Sequence, residues 1–403
     1  MGLNILLLNM FSYPDLEKGV MNRNINFFRI FQSRGDVQSI MAVDYLPFSL
    51  KKFIKSAFYF FFRKVSGEVV YKDLTSRLVK ITNRSGSAEV YIYSCIDYFF
   101  NHHTCLKKIN NLWGKYCARS GKKVLWSCLP ICAEYFPEIK YDLNVFDAID
   151  NWLEHPSYAP YKHLLDINYR RIAQKADLVF TVNDNVADFF RLLGREKDVY
   201  AVENGVDYNF FASDIAHEDL DLKNIPKPWI GYFGIVESRI DGDLMAYLAE
   251  HHPEKSFLFV GPIWPVFLRQ IRPDLSAIKK MKKYKNIYFL GPRPYQLAPF
   301  YIKQFDVAIL PHQINQFVKS NSSLKILEYL ACGKPIVSIP SAGAEKLGHL
   351  LYLAATYPEF SERINAALLE KDDQIVEKRR GYAQGLDWSK KIDFIIEKII
   401  SFK

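Results

Sequence analysis

The chain has 403 residues, too many for one hydrophobic core, and this length favours two α/β domains. Its formal net charge of +9 permits nucleic acid, an anionic bilayer surface or phosphorylated small molecules as partners. Because the sequence has no RNA-binding signature, we do not expect nucleic acid among them. It also has no zinc-ligand spacing, and its 49% hydrophobic residues are typical of a globular protein.

The cysteines contain no C-x-x-C pair and most lie in apolar or helical stretches, so we expect reduced thiols in the core. They are Cys95, Cys105, Cys117, Cys128, Cys132 and Cys332. The N-terminal run Ile5–Leu8 lacks a basic flank and is too short for a signal peptide. No later apolar stretch approaches the roughly 18 residues of a membrane helix. The sequence therefore predicts a cytoplasmic protein.

The first half of the chain alternates short apolar runs with helical segments, the order typical of a parallel, doubly wound sheet. A helix is predicted from about Asn24 to Ser33, and Asn183 is expected to cap another helix. The predicted strands are Asn4–Leu8, Val37–Val43, Glu89–Tyr93, Val124–Trp126, Leu143–Ile149, Ala176–Val182 and Val199–Val202.

An aromatic and basic segment, Leu46–Lys64, follows the second predicted strand. It holds six phenylalanines and a tyrosine among five basic residues. Such a helix can lie on a membrane surface, and it can equally be buried on one side while its lysine side chains extend to solvent. The sequence leaves both alternatives open.

One polar turn of the first half carries a candidate catalytic residue. Asp150 comes just past the Leu143–Ile149 strand, where a carboxylate can take a proton from a hydroxyl or face a developing positive charge. Asp147 lies earlier in the strand and is expected to be a buried carboxylate that fixes neighbouring backbone.

The second half begins after a charged, proline-bearing linker from about Ser213 to Pro228. The last helix, from near Ser389, places Ile392, Ile395, Ile396, Ile399 and Ile400 on one face. The predicted strands of this half are Trp229–Gly234, Phe257–Val260, Ile287–Leu290, Val307–Leu310 and Ile336–Ile339.

Loops after these strands carry residues suited to a nucleotide. Gly234 lets the backbone approach a phosphate closely, and Arg239 offers a planar, permanently charged fork. The turn Gly291–Pro294, which includes Arg293, contains two prolines and is therefore rigid. A rigid turn of this kind suits the rim of a site that recognises a planar base. His312, after the fourth strand, is a further candidate.

The stretch Ser320–Ser338, SNSSLKILEYLACGKPIVS, predicts a polar loop, an amphipathic helix and a buried strand. Asn321, Ser322 and Ser323 supply cap-type side chains. The helix that begins at Leu324 presents unpaired N–H groups and a positive dipole end to an anion.

Two charged residues follow in that helix. Lys325 lies in the first turn, where the helix dipole disfavours a cation, so its presence indicates a bound anion. Glu328 lies three residues later on the same face and can accept two hydrogen bonds from a vicinal diol such as a ribose.

This stretch resembles the donor-nucleotide motif of retaining glycosyltransferases of the GT-B fold, family 4 type, K-x-x-E-Y-x-A-x-G-x-P-V-V, with Ile336 for the first valine. The resemblance implies that the helix N-terminus, with Ser322, Ser323 and Leu324, holds a diphosphate and that Glu328 holds the ribose. Many relatives have a glutamate at the position of Ser320. The subgroup that the chain resembles makes polysaccharide and cell-envelope polymers such as teichuronic acid.

The resemblance spans nearly the whole chain and implies two Rossmann-like domains that face each other across a cleft. An acceptor-binding domain would cover residues 1–210 and a nucleotide-sugar domain residues 211–387. Residues 388–403 would form a helix that crosses back to the first domain. The turn Glu203–Asp207 is similar to the family's P-N-G-V-D turn that closes the first domain.

The resemblance also implies roles for the loop residues. Gly234, Arg239, Gly291 and Arg293 would contact the donor, in addition to the helix that holds Lys325. Asp150 lies in a stretch that resembles the family's y-D-c-x-D-d-w motif. Gly19, Arg23 and His312 are further candidates, the first two because they lie in a loop that resembles the family's first Gly-rich loop.

The expected activity is retaining transfer of a sugar from a nucleotide diphosphate, UDP-linked, to a glycan or lipid-linked oligosaccharide in exopolysaccharide or envelope synthesis. With no D-x-D motif at a strand end, Lys325, Arg239 and helix N-termini would balance the diphosphate charge without a metal. No G-x-G-x-x-G follows the first strand, so no nicotinamide cofactor is expected. The enzyme would be cytoplasmic or peripheral at the inner face of the plasma membrane. A sugar-nucleotide epimerase and a non-catalytic partner protein of the same fold remain as alternatives.

Overall fold

The computed structural model describes residues 2–8, 13, 16, 21–44, 46, 50–62, 65–82, 86–117, 120–263, 275–315, 318 and 323–402. The chain divides into two compact units. Unit 1 comprises Met1–Glu203 and Ser389–Lys403, and unit 2 comprises Asn204–Trp388. The first unit thus ends a few residues before the expected boundary at residue 210, inside the turn that resembles P-N-G-V-D.

Each unit contains one sheet, and both sheets are largely parallel. In unit 1 the described strands have the order β3-β4-β5-β2-β1-β6-β7-β8-β9, and in unit 2 the order β12-β11-β10-β13-β14-β15. The prediction of two doubly wound α/β domains is therefore confirmed. The strands are β1 Leu3–Leu8, β2 Val37–Val43, β3 Glu68–Lys72, β4 Ser76–Ile81, β5 Glu89–Cys95, β6 Lys122–Ser127, β7 Leu143–Ala148, β8 Leu178–Thr181, β9 Val199–Ala201, β10 Trp229–Phe233, β11 Ser256–Val260, β12 Ile287–Gly291, β13 Val307–Leu310, β14 Ile336–Ser338 and β15 Tyr352–Leu353.

Helices connect the strands and cover the sheets. In chain order they are α1 Arg23–Ser33, α2 Leu50–Phe62, α3 His102–Leu112, α4 Lys162–Lys175, α5 Asp184–Leu192, α6 Tyr208–Ala212, α7 Leu220–Lys223, α8 Gly242–His251, α9 Ser276–Met281, α10 Ala298–Gln304, α11 Leu324–Ala331, α12 Ala342–Glu345, α13 Tyr357–Leu368, α14 Asp373–Gly385 and α15 Trp388–Ser401. The Asn183 side chain accepts a hydrogen bond from Val186 N and caps α5, as predicted.

The predicted strands are found because parallel strands covered on both faces are almost continuously apolar. All six residues of β1 are buried, for example. An antiparallel extension, in which β3 pairs with β4 and β4 with β5, was not predicted. Residues of β3 are exposed or half-buried, so its sequence lacks the apolar run that marks the central strands.

The C-terminal helix α15 packs on unit 1. The Lys122 ammonium donates hydrogen bonds to the carbonyl oxygens of Ile399 and Phe402, at 2.9 and 2.8 Å. Four of the five predicted isoleucines of this helix are buried, but Ile400 is 52% exposed. The apolar face is therefore one residue shorter than the sequence pattern suggested.

Among the residues that the structure describes, no helix has the length and apolarity needed to cross a membrane.

A buried ion pair joins α1 to β7 in unit 1. The Arg23 guanidinium contacts both carboxylate oxygens of Asp147, at 3.0 to 3.1 Å, and donates to the carbonyl oxygen of Val202 at 2.7 Å. Arg23 is 3% exposed and Asp147 is fully buried. Burial raises the pKa of the Asp147 carboxyl, and the guanidinium opposes that rise. The pair fixes the start of α1 against two strands.

Asp147→Ala should lower the free energy of unfolding by about 3–5 kcal/mol, because it removes the carboxylate that neutralises the buried Arg23 guanidinium. Urea denaturation measures this change. Asp166→Ala is the matched control, because Asp166 pairs with Arg170 on the exposed face of α4 and such pairs contribute less than about 1 kcal/mol. Equal effects of the two substitutions would contradict a structural role for the buried pair.

Candidate functional site

The topology of unit 2 defines where a ligand can bind. Strand β10 lies between β11 and β13, so the chain leaves β10 toward one side of the sheet and later continues on the other. Open α/β sheets bind ligands outside the carboxyl ends of their strands at such a switch point. Gly234 directly follows β10, and His312 lies two residues past the end of β13.

Gly234 and Lys325 are in direct contact at this switch point. Gly234 has a φ of +143°, which side chains rarely allow, and a Cβ there would overlap the Cε of Lys325. The ammonium lies 5.5 Å from the ring centre of Tyr232. It makes no ion pair with the described carboxylates, and the more distant Glu328 is the acidic group that it influences. Because Gly234 has no side chain, the Lys325 ammonium can lie over the end of β10.

The N-terminus of α11 adds the positive end of a helix dipole to that cation. Ser323 is the N-cap residue, but its side chain makes no capping hydrogen bond, contrary to the expectation from sequence. Ser341 and Thr356, in the same position of α12 and α13, do accept one. Of the first N–H groups of α11, Ile326 N donates to the Ser323 carbonyl oxygen at 3.2 Å, and none donates to the Ser323 side chain. These groups lie in the first turn together with Lys325.

Glu328 lies one turn further along α11 and is half-buried. Its Oε1 accepts a weak hydrogen bond from the Tyr295 hydroxyl at 3.4 Å. Burial raises the pKa of the Glu328 carboxyl, while the Lys325 charge and the Tyr295 hydroxyl oppose the rise. Tyr295 in turn stacks on Phe210, with ring centres 5.4 Å apart. Phe210 positions the Tyr295 ring, and the Tyr295 hydroxyl in turn holds the Glu328 carboxylate on the same side of α11 as Lys325.

Arg239 and His312 complete the loops of the switch point. The Arg239 guanidinium donates to Glu237 Oε1, with the Nε contact at 2.7 Å. Its carbonyl oxygen accepts from Gln313 N at 2.8 Å, which joins the loop after β10 to the loop after β13. Burial, and then the charges of Arg239 and Lys325, lower the pKa of His312 well below its ordinary value. The imidazole is therefore neutral near pH 7, between two cations.

The two predicted site residues at the end of β12, Gly291 and Arg293, contact different parts of unit 2. Gly291 ends the strand, and its carbonyl oxygen accepts from Gly261 N at 2.9 Å, next to the loop of Gly234. Arg293 instead binds Asp221 Oδ2 at 2.7 Å, Asp219 Oδ2 at 3.1 Å and the Leu290 carbonyl at 2.5 Å. The structure thus places Gly291 beside the switch point and ties Arg293 to the segment that precedes β10.

In unit 1, Asp150 follows β7 as predicted and is half-buried. Its carbonyl oxygen accepts from the Tyr169 hydroxyl at 3.2 Å, and the same hydroxyl accepts from Trp152 N at 3.1 Å. The Arg23 guanidinium, expected to reach a diphosphate, is instead buried against Asp147. Gly19 and Ser322, like Ser320 and Asn321, lie outside the described residues.

Three residues of the site were not identified from the sequence as ligand contacts. Gly261 follows β11 as Gly234 follows β10, and a Cβ on it would overlap the Gly234 carbonyl. The repeated order of buried strand and glycine is a signal that could have revealed it. Glu237 and Tyr295 were visible only as polar or aromatic loop residues, because their partners come from other segments.

Comparison with known proteins matches part of unit 2 to a family, in a segment that includes Gly291, His312, Lys325 and Glu328. Residues 243–370 match the family described as group 1 glycosyl transferases. TuaH of Bacillus subtilis (strain 168), which is named as a teichuronic acid biosynthesis glycosyltransferase, is 28% identical over 228 residues. This match covers 54% of the present chain and 55% of TuaH, so it spans about half the length of the curated relative.

Two solved structures match over nearly the whole chain. HepE of Anabaena, in complex with UDP and glucose, has a TM-score of 0.67 at 15% identity and covers 99% of both chains. Sucrose-phosphate synthase from Thermosynechococcus elongatus has a TM-score of 0.67 at 12% identity and covers 100% of both. At these identities the likeness shows the fold. The resemblance predicted from the helix motif is therefore confirmed at two levels: residues 243–370 carry a group 1 glycosyl transferase domain, and the chain has the GT-B fold.

Proposed function

We propose that the protein is a retaining, metal-independent glycosyltransferase that moves a sugar from a UDP-linked donor to a glycan or lipid-linked acceptor in exopolysaccharide or envelope polysaccharide synthesis. The observation that carries the proposal is the Lys325 ammonium held over Gly234, beside the N-terminus of α11, whose N-cap residue Ser323 makes no side-chain capping bond. Both features attract an anion, and both lie at the switch point of the sheet.

The donor diphosphate would lie between Lys325 and the N-terminal N–H groups of α11. Glu328 would accept hydrogen bonds from the ribose hydroxyls, with Tyr295 holding its carboxylate in place. Arg239 would exchange its contact with Glu237 for a phosphate oxygen, because a bidentate guanidinium binds phosphate well. These positive groups would balance the charge of the departing nucleoside diphosphate.

Retention would arise from attack on the same face from which the diphosphate leaves. A phosphate oxygen of the donor would take the proton of the acceptor hydroxyl while the new glycosidic bond forms, so no protein nucleophile is required. Asp150 would act on the acceptor side, where its carboxylate can bind the hydroxyl or face the positive charge that develops on the sugar.

The nucleotide and the acceptor are assigned by analogy with the relatives. HepE has been solved with UDP and with UDP-glucose, and TuaH is named for teichuronic acid biosynthesis. These names support a UDP-linked donor and a polysaccharide product for the present chain.

Helix α2 suggests that the acceptor is reached at a membrane surface. Leu50, Ile54, Phe58, Phe61 and Phe62 are between 41% and 73% exposed, and their spacing of three and four residues places them along one face. The other side of the helix is anchored, since Phe60 is buried and Phe53 stacks on Phe99 at 5.2 Å. Lys55 and neighbouring basic residues of the sequence would favour anionic lipid.

A screen of UDP-, GDP- and dTDP-sugars tests the donor class. A UDP-sugar at about 100 times its dissociation constant should stabilise the folded protein by about 2.7 kcal/mol and raise its melting temperature, and the other donors should have little effect. Transfer to a polysaccharide primer should follow. Conversion of the nucleotide sugar without an acceptor would instead identify an epimerase, and inertness toward every donor would identify a non-catalytic protein.

Lys325→Ala should weaken UDP binding about 10- to 100-fold, because a charge-assisted contact with phosphate contributes about 1.5–3 kcal/mol. Isothermal titration calorimetry measures the affinity. Lys279→Ala is the control, because Lys279 is an exposed lysine of α9 in the same unit. Unchanged affinity of the Lys325 variant would rule out the anion site at α11.

The double substitution Phe61→Ser and Phe62→Ser should reduce binding to anionic vesicles at least tenfold, because each buried phenylalanine contributes about 1.5–3 kcal/mol to partition. Co-sedimentation with phosphatidylglycerol-containing vesicles measures binding. Leu192→Ser serves as control, since Leu192 is 86% exposed on α5. Vesicle binding that is absent in the parent protein, or unaffected by the double substitution, would exclude α2 as the membrane contact.

A further inference from the structure

The connection between β5 and α3 brings together three side chains that can bind a metal. Cys95 is the last residue of β5, Asp97 begins the turn that follows, and Cys105 lies in the first part of α3. Their ligand atoms all lie within 4.8 Å of one another, and the two sulfur atoms are 3.4 Å apart. Cys95 is 4% exposed and Cys105 is fully buried. The cluster is thus enclosed within unit 1.

The Asp97 carboxylate is oriented toward the thiols by its other contacts. Its Oδ2 accepts from the Lys108 ammonium at 2.7 Å and from the Thr75 hydroxyl at 3.0 Å. Its Oδ1 is buried and accepts no conventional hydrogen bond from the described residues. A carboxylate oxygen of Asp97 lies within 4.8 Å of both sulfur atoms. A buried carboxylate oxygen without a conventional donor among the described residues is a group that a cation can satisfy.

We propose that Cys95, Asp97 and Cys105 bind one thiophilic divalent metal ion, of which Zn²⁺ is the best match. On binding, the two thiols would release their protons to solvent, and two metal–sulfur bonds and one metal–oxygen bond would form. The positive charge of Lys108 beside Asp97 offsets part of the negative charge of the ligand set. Lys108 and Thr75 would act as the outer contacts that orient a coordinating carboxylate.

The sulfur separation agrees better with a metal than with a disulfide. Zinc–sulfur bonds of about 2.3 Å at a tetrahedral angle place two sulfurs about 3.8 Å apart, whereas a disulfide requires about 2.05 Å. The observed 3.4 Å needs only a small adjustment to bind zinc. Three protein ligands leave one position open, and the Tyr93 hydroxyl, two residues before Cys95 in β5, is buried without a hydrogen bond from the described residues.

The metal would have a structural role that does not depend on the proposed glycosyl transfer. It would join the end of a strand to the helix that follows, at a site separated from β7 and Asp150 by β2, β1 and β6 in the sheet. Because the two cysteines are ten residues apart in sequence and form no C-x-x-C pair, spacing alone did not predict a zinc site.

The test uses the full chain, purified with a reductant and analysed by mass spectrometry for bound metal. We expect one zinc per chain, and Co²⁺ added to the chelator-treated protein should give a thiolate-to-cobalt charge-transfer band. Cys95→Ser and Cys105→Ser should abolish the band, and Asp97→Asn should weaken Co²⁺ binding at least tenfold. Cys117→Ser, which changes another buried cysteine of unit 1, should retain both metal and band.

Three results would overturn the proposal: no zinc and no cobalt band in the parent protein, a band that survives Cys105→Ser, or a Cys95–Cys105 disulfide in metal-free protein. Should the serine variants fail to fold, the parent protein alone decides, since chelation must then remove one metal and lower the melting temperature reversibly. UDP binding by the variants gives a separate readout, because the donor site lies in unit 2 and should be unaffected.

Discussion

Close contact between Gly234 and Lys325 is the constraint on which the candidate site depends. The lysine can lie over the end of β10 only because position 234 has no side chain. Its ammonium is held there by neighbouring groups rather than by a carboxylate, with the Tyr232 ring 5.5 Å away. Since Lys325 lies in the first turn of α11, its charge adds to the positive end of the helix dipole before any ligand arrives. A preformed site of this kind would spare an anionic ligand the cost of reorganising the protein.

The acidic side chains near the site do not neutralise the charge of Lys325. Glu237 is bound by Arg239, and Glu328 is held by Tyr295 one turn away from Lys325. The neighbouring His312 stays neutral because burial and two cations oppose its protonation. The region therefore combines a lysine that makes no ion pair with the described residues, an arginine bound to a glutamate, and a carboxylate at the distance of the next helical turn. That separation suits a phosphate and a ribose of the same nucleotide.

Two cations of the chain illustrate opposite outcomes. Arg23 and Lys325 each lie at the start of a helix that follows a parallel strand, and both were candidates for phosphate binding. In the fold, Arg23 meets the buried carboxylate of Asp147 and becomes a structural ion pair. Lys325 meets a glycine and an aromatic ring and keeps its charge available. The residue type alone does not distinguish the two cations, because their partners are distant in sequence. Asp147 is more than a hundred residues from Arg23, and Gly234 is about ninety residues from Lys325.

The sequence by itself determined the central parallel strands, the capped helix after β8 and the motif of α11, since each depends on local apolar runs, capping residues or contiguous spacing. It did not reveal the antiparallel hairpin of β3 and β4, whose exposed residues carry no apolar pattern, or the contact of Tyr295 with Glu328. Only the tertiary structure decided that Gly234, Gly261 and Gly291 lie side by side, that Arg293 binds Asp219 and Asp221, and that Cys95 meets Cys105. The first two outcomes depend on how segments distant in sequence meet in the fold, a long-range property that local sequence patterns do not encode. The third depends on how α3 packs against the end of β5.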